Sequence, residues 1–155
     1  MENKHILSSF DDDLKKLNDN LLKLGNGAVT NFDSCIDNFG PRDIGEIDKV
    51  INGDIILDEL DDKVQKLGFE IIALRAPQAA DLRRVIVALK IATIFERIGD
   101  YSRNISNRTK LLIELNYSDL PGVNIGKMGQ KTLTMIEDVI ESYTNEDDKL
   151  AVKVR

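Results

Sequence analysis

The chain has 155 residues, 42% of them hydrophobic, a formal net charge of −6 and a single cysteine. That length allows one domain or two small ones with a real hydrophobic core. The negative charge disfavours nucleic acid and anionic lipid as partners, both of which call for clustered lysine and arginine, and one cysteine excludes an internal disulfide. The absence of a signal peptide and of a long apolar span reads as a cytoplasmic protein with no membrane insertion.

The only prolines are Pro41, Pro77 and Pro121, which leaves room for helices of about thirty residues or more. The first is predicted over about 8–39, because Phe10, Leu14, Leu17, Leu21, Leu24, Ala28, Phe32, Cys35 and Phe39 recur at steps of three or four. Gly40-Pro41 stops it, and Asp43 is placed to cap the next helix. The second, about 43–75, carries Ile47, Val50, Leu57, Leu60, Val64, Leu67, Ile71 and Leu74 and ends before Pro77, which disfavours helical backbone in the residue ahead of it. The third is expected over about 78–115, with one stripe of Leu82, Ile86 and Leu89 and another of Val87, Ile91, Ile94, Ile98, Tyr101 and Ile105. Two stripes imply two packing neighbours, so the fold class is all-α, with residues 1–116 as a spectrin-like, up-down-up three-helix bundle.

After the turn-rich run Asn116–Gly122, helical spacing resumes at Ile125. Shifted by 104 residues without a gap, this stretch overlays the first helix and the turn behind it: Lys23, Gly25, Thr30, Ile36, Asp43 and Val50 meet Lys127, Gly129, Thr134, Ile140, Asp147 and Val154. Residues 117–155 therefore read as a linker and the start of a second copy of the same unit, incomplete at Arg155. Met128, Met135, Ile136 and Val139 would then lack a cover of their own, and dimerisation through residues after Pro121 is the expectation.

Four carboxylates carry the candidate chemistry. In the third helix the stripe Leu82, Ile86, Leu89, Thr93 continues in step to Glu96 and Asp100; in the second, Val50 is followed in its stripe by Asp54, with Asp58 one turn on. Acids at positions that the period reserves for buried side chains, on antiparallel helices joined near Pro77, are expected to converge. Such a cluster raises its own proton affinities unless a cation neutralises it. Oxygen donors alone suit Mg²⁺, Mn²⁺, Ca²⁺, iron or Zn²⁺. Gly99, between Glu96 and Asp100, costs about 1 kcal/mol of helix stability relative to alanine, which a close helix approach would justify.

The run Ala73-Leu74-Arg75-Ala76-Pro77-Gln78-Ala79-Ala80-Asp81-Leu82-Arg83, with Phe95-Glu96-Arg97-Ile98-Gly99-Asp100, resembles the signature of the PhoU family of phosphate-uptake regulators. His5-Ile6 and Phe10-Asp11-Asp12-Asp13-Leu14 resemble the family's opening. The resemblance implies two tandem three-helix bundles, each with two E/D-x-x-x-D motifs that bind multinuclear metal clusters; the motifs present would be Asp54 with Asp58 and Glu96 with Asp100. It further implies a negative regulator linking the phosphate ABC transporter to a sensor histidine kinase and restraining the phosphate-starvation response. The departure is at the C-terminus, where the second copy's motifs would fall beyond Arg155.

Other classes fare less well. A carboxylate-bridged di-iron oxidase needs Glu-x-x-His motifs, and the only histidine is His5, expected in a mobile tail. No nucleophile–base pair, glycine-rich phosphate loop or cofactor motif is present, so no catalysis is expected. The rival reading is a metal-independent helical interaction module. Arg75, Arg83, Arg84 and Arg97 are expected to form ion pairs with Asp81 and the other acids, and Cys35 to be a core thiol.

Overall fold

A computed structural model describes residues 2–40, 42–117 and 124–154, with side chains from Ser9 onward. Pro41 and residues 118–123, Pro121 among them, lie outside the described residues, as do the side chains of His5 and Ile6. Five helices follow in order: α1 Glu2–Asn38, α2 Ile44–Arg75, α3 Ala79–Glu114, α4 Ile125–Thr144 and α5 Asp148–Val154. No strand occurs among the described residues, and none of these helices is long and apolar enough to cross a membrane.

The predicted bounds of the first three helices hold to within a residue or so, except that α1 begins at Glu2. Residue 5 is thus helical backbone rather than a tail, as suits a stretch with no glycine or proline before Gly25. The Asp43 carboxylate accepts hydrogen bonds from the backbone N–H groups of Gly45, at 2.8 Å, and Glu46, at 3.2 Å, and so starts α2. Beyond Arg75, Ala76 turns left-handed at φ 44° and the chain reverses through Pro77. The end of α3 is closed by two returning bonds, Asn116 N–H to the Ile113 carbonyl and Tyr117 N–H to that of Leu112, each 2.9 Å, with Asn116 left-handed at φ 49°.

The chain divides into two compact units: Met1–Asn26 with Ile55–Arg97, and Gly27–Asp54 with Ile98–Arg155. The core of the first is Leu17, Leu21 and Leu24 of α1, Leu57, Val64 and Ile71 of α2, and Val85, Ala88, Ala92 and Phe95 of α3. Here α2 and α3 run antiparallel and close. A Cβ on Gly68 would lie 2.4 Å from a Leu89 methyl, and Arg75 donates to Asp13 at 2.8 Å.

The second unit buries Ala28, Phe32 and Cys35 of α1, Ile47 and Val50 of α2, and Leu133 and Ile136 of α4. Its share of α3 contributes small polar side chains instead, Ser102, Ser106 and Thr109, all buried. Ser102 and Thr109 direct their hydroxyls back to carbonyls one turn earlier, those of Ile98 and Ile105, which satisfies them inside the core. Gly129 of α4 sits against Ile36 of α1, where a Cβ would come within 2.6 Å of that side chain. Ile136, expected bare, is buried by this docking at 8% exposure, whereas Met128, Met135 and Val139 remain exposed.

The face that α3 buries differs from both predicted stripes. Ile86, Val87, Ile94 and Tyr101 are exposed, while Val85, Ala88, Ala92, Phe95, Gly99, Ser102, Ser106 and Thr109 form the buried line. Small residues let the neighbouring helices approach, and that proximity outweighs the size of the apolar side chains on either side.

Candidate functional site

Asp54 stands on α2 between Val50 and Leu57, both buried, and is itself only 2% exposed. The seven-residue step from Val50 to Leu57 fixes the face, and Asp54 falls within it, so the helix carries the carboxylate inward regardless of its polarity. An ionised carboxylate held there without a positive partner would cost several kcal/mol. The partner is Arg103 of α3, whose Nη1 donates to Asp54 Oδ2. The same guanidinium donates through Nη2 to Asp100 Oδ1 at 2.5 Å, one turn back along α3. Arg103 thus spans the second unit's two motif acids with a planar fork that suits paired oxygens. Its side chain is 37% exposed and that of Asp100 35%, so the bridge runs from a buried acid toward the surface.

A second acid–base contact ties the same helices nearer the other end of the unit, where Lys110 Nζ donates to Asp48 Oδ1 at 2.6 Å. This hydrogen bond raises the lysine's proton affinity above its ordinary value. Both pairs cross from α2 to α3 in antiparallel register. The register differs from the one read from Pro77, however, because Asp54 faces Arg103, one turn beyond Asp100.

The other two motif acids belong to the first unit. Asp58, expected to face inward one turn after Asp54, is exposed, and Glu96 is half-buried beside buried Phe95. Among the described residues, no three His, Cys, Asp or Glu side chains gather closely enough to ligate one ion. The structure therefore brings together Asp54 and Asp100, through Arg103. For the cation that the family resemblance implies, the pair fits in its chemistry: both donors are oxygen, one is withdrawn from water, and both are already drawn to a single positive charge.

Arg103 is not among the arginines that the sequence reading singles out, which are Arg75, Arg83, Arg84 and Arg97. The signal was present, since an arginine three residues after an acid at a predicted inward position lies on the same helix face. Of the arginines that were singled out, Arg75 donates to Asp13 and to Ser9, and Arg84 lies 4.0 Å from Asp81. Cys35 is buried at 3% exposure, in keeping with a core thiol.

Comparison with known proteins gives a consistent set of likenesses. A family model described as PhoU domain matches residues 21–109, more than half of the chain. The chain is 33% identical over 157 residues to the phosphate-specific transport system accessory protein PhoU homolog of Xylella fastidiosa, covering 99% of this chain and 64% of that protein. It is 32% identical to the homolog of the same description from Caulobacter vibrioides, covering 97% and 66%. It therefore spans just under two thirds of the length of these relatives. In fold it matches the crystal structure of PhoU from Pseudomonas aeruginosa with a TM-score of 0.89 at 24% identity, over 93% of this chain and 69% of that one. The phosphate transport system regulatory protein PhoU from Streptococcus pneumoniae matches with 0.83 at 23%, over 94% and 68%.

Proposed function

The chain belongs to the PhoU domain family, and from that membership we propose that it regulates phosphate uptake and the phosphate-starvation response by protein–protein contact, without catalysing a reaction. Its partners in this reading are the cytoplasmic face of a phosphate ABC transporter and a sensor histidine kinase. Support comes from relatives described as accessory proteins of phosphate-specific transport, aligned along nearly the whole chain.

The reading includes a carboxylate site for a divalent cation, iron, Mn²⁺, Mg²⁺ or Zn²⁺, drawn from Asp54 and Asp100 together with Asp58 and Glu96. The observation that carries it is that Asp54 and Asp100, both inside the matched residues, share one positive charge. When bound, the ion would supply charge neutralisation and rigidity rather than chemistry. Asp54 offers the buried donor, and Asp100 the donor nearer the surface. One observation favours a second reading, a metal-independent interaction module: Arg103 already neutralises both acids.

Residues 125–155 are read as the opening of a second unit of the same kind, and the exposed Met128, Met135 and Val139 as the face by which two copies of the chain associate. The functional test is genetic. In phosphate-replete cells of the source organism, loss of the gene is expected to switch on starvation-induced phosphate uptake, and its restoration to switch it off. Uptake indifferent to the gene would overturn the reading.

A further inference from the structure

We propose that Arg103 is an internal counter-cation, occupying the Asp54–Asp100 pair while no metal is bound and giving up that place when a divalent ion enters. The inference rests on the metal reading above and goes beyond it by naming what the ion must displace. Three observations within the second unit carry it. Asp54 is buried on a core face, so its charge requires a positive partner in every folded state. Arg103 meets Asp54 with one terminal nitrogen and Asp100 with the other, so a single side chain holds both acids. That side chain is 37% exposed, which leaves the guanidinium a route outward to solvent.

The consequence is a competition. A divalent ion that takes oxygens from Asp54 and Asp100 must break two charge-assisted hydrogen bonds, and its apparent affinity falls by the stability of that bridge. Arginine at this place thereby sets a threshold: the chain folds without metal and takes it up only above a certain free concentration. Removal of the arginine should then weaken the metal-free protein and strengthen metal binding, two opposite effects that a purely structural ion pair would not produce together.

The experiment titrates Mn²⁺ into chelator-treated protein by calorimetry and records thermal unfolding with and without Mn²⁺. Arg103→Gln is expected to melt roughly 5–10 °C lower than wild type without metal, through loss of the buried acid's partner, and to bind Mn²⁺ on the order of tenfold tighter or more, through loss of the competitor. Arg103→Lys, which retains a cation but not the fork, is the variant less disruptive to folding and is expected to fall between the two in affinity. Arg108→Gln removes the same charge from an exposed position on α3 and is expected to leave both quantities near wild type. If wild type binds Mn²⁺ and neither Arg103 variant binds it more tightly, the counter-cation role is overturned while the metal site stands. If no variant and no wild type binds Mn²⁺, the metal reading itself fails, and the inference with it.

Discussion

Asp147 stands to α5 as Asp43 stands to α2. Each carboxylate oxygen accepts from the backbone N–H groups two and three residues ahead: Gly45 and Glu46 at 2.8 and 3.2 Å in one case, Lys149 and Leu150 at 2.9 and 3.0 Å in the other. The two caps fall at equivalent positions under the 104-residue shift that overlays the ends of the sequence. Asp43→Ala is expected to cost about 1 kcal/mol of global stability, because α2 threads the core. Asp147→Ala should change global stability by less than about 0.5 kcal/mol, since α5 buries none of its residues. It should instead speed amide hydrogen exchange at Lys149 and Leu150, and equal global losses in denaturant titrations would contradict this account.

Gly129 and Gly126 lie one turn apart on α4 and should respond oppositely to alanine. A Cβ at Gly126 meets nothing within 4 Å, whereas at Gly129 it would fall within 2.6–2.7 Å of three Ile36 atoms. Gly126→Ala is expected to gain up to about 1 kcal/mol of helix propensity. Gly129→Ala gains the same propensity but is expected to lose more, about 1–3 kcal/mol, by pushing α4 off α1. Ile36→Ala in the Gly129→Ala background should recover part of that loss. Urea titration of the three variants beside wild type reads the signs directly.

Burial pushes the Cys35 thiol above its ordinary value of 9.0, against a smaller opposing effect of a hydrogen bond from Ser106. The folded state therefore prefers the protonated thiol. Its contribution to stability is complete below pH 9.0 and is lost as pH rises from there through the folded value. Wild type should lose stability above that pH more steeply than Cys35→Ala, by no more than about 1.4 kcal/mol per pH unit. Parallel slopes in the two proteins would show that the thiol does not ionise with unfolding.

Helix existence and the helix ends other than the start of α1 were legible because prolines, caps and apolar spacing on α1 and α2 act locally. The face of α3 was not. There the largest apolar residues, among them Ile86, Val87 and Ile94, flank the buried line, and the packing is decided by Ala88, Ala92 and Ser102, whose advantage is close approach rather than hydrophobicity. Position in the period did identify Asp54 as buried. It failed for Asp58, because one turn further along a helix need not remain on the same contact line once 3.6 residues per turn have drifted it sideways. Arg103 was missed for a different reason: a sequence shows which residues share a helix face, whereas the identity of the side chain that reaches across from the partner helix depends on interhelical register, which Pro77 alone placed one turn short.

The central proposal is that Asp54 and Asp100, together with Asp58 and Glu96, supply a site for a divalent cation. Calorimetric titration of Mn²⁺ into chelator-treated wild type, set against the double variant Asp54→Ala with Glu96→Ala, measures it most directly. Saturable binding in wild type that falls by at least about tenfold in the folded double variant is the expected result. No binding by wild type, or binding that the two substitutions leave unchanged, would contradict it and leave the metal-independent interaction module as the reading of this chain.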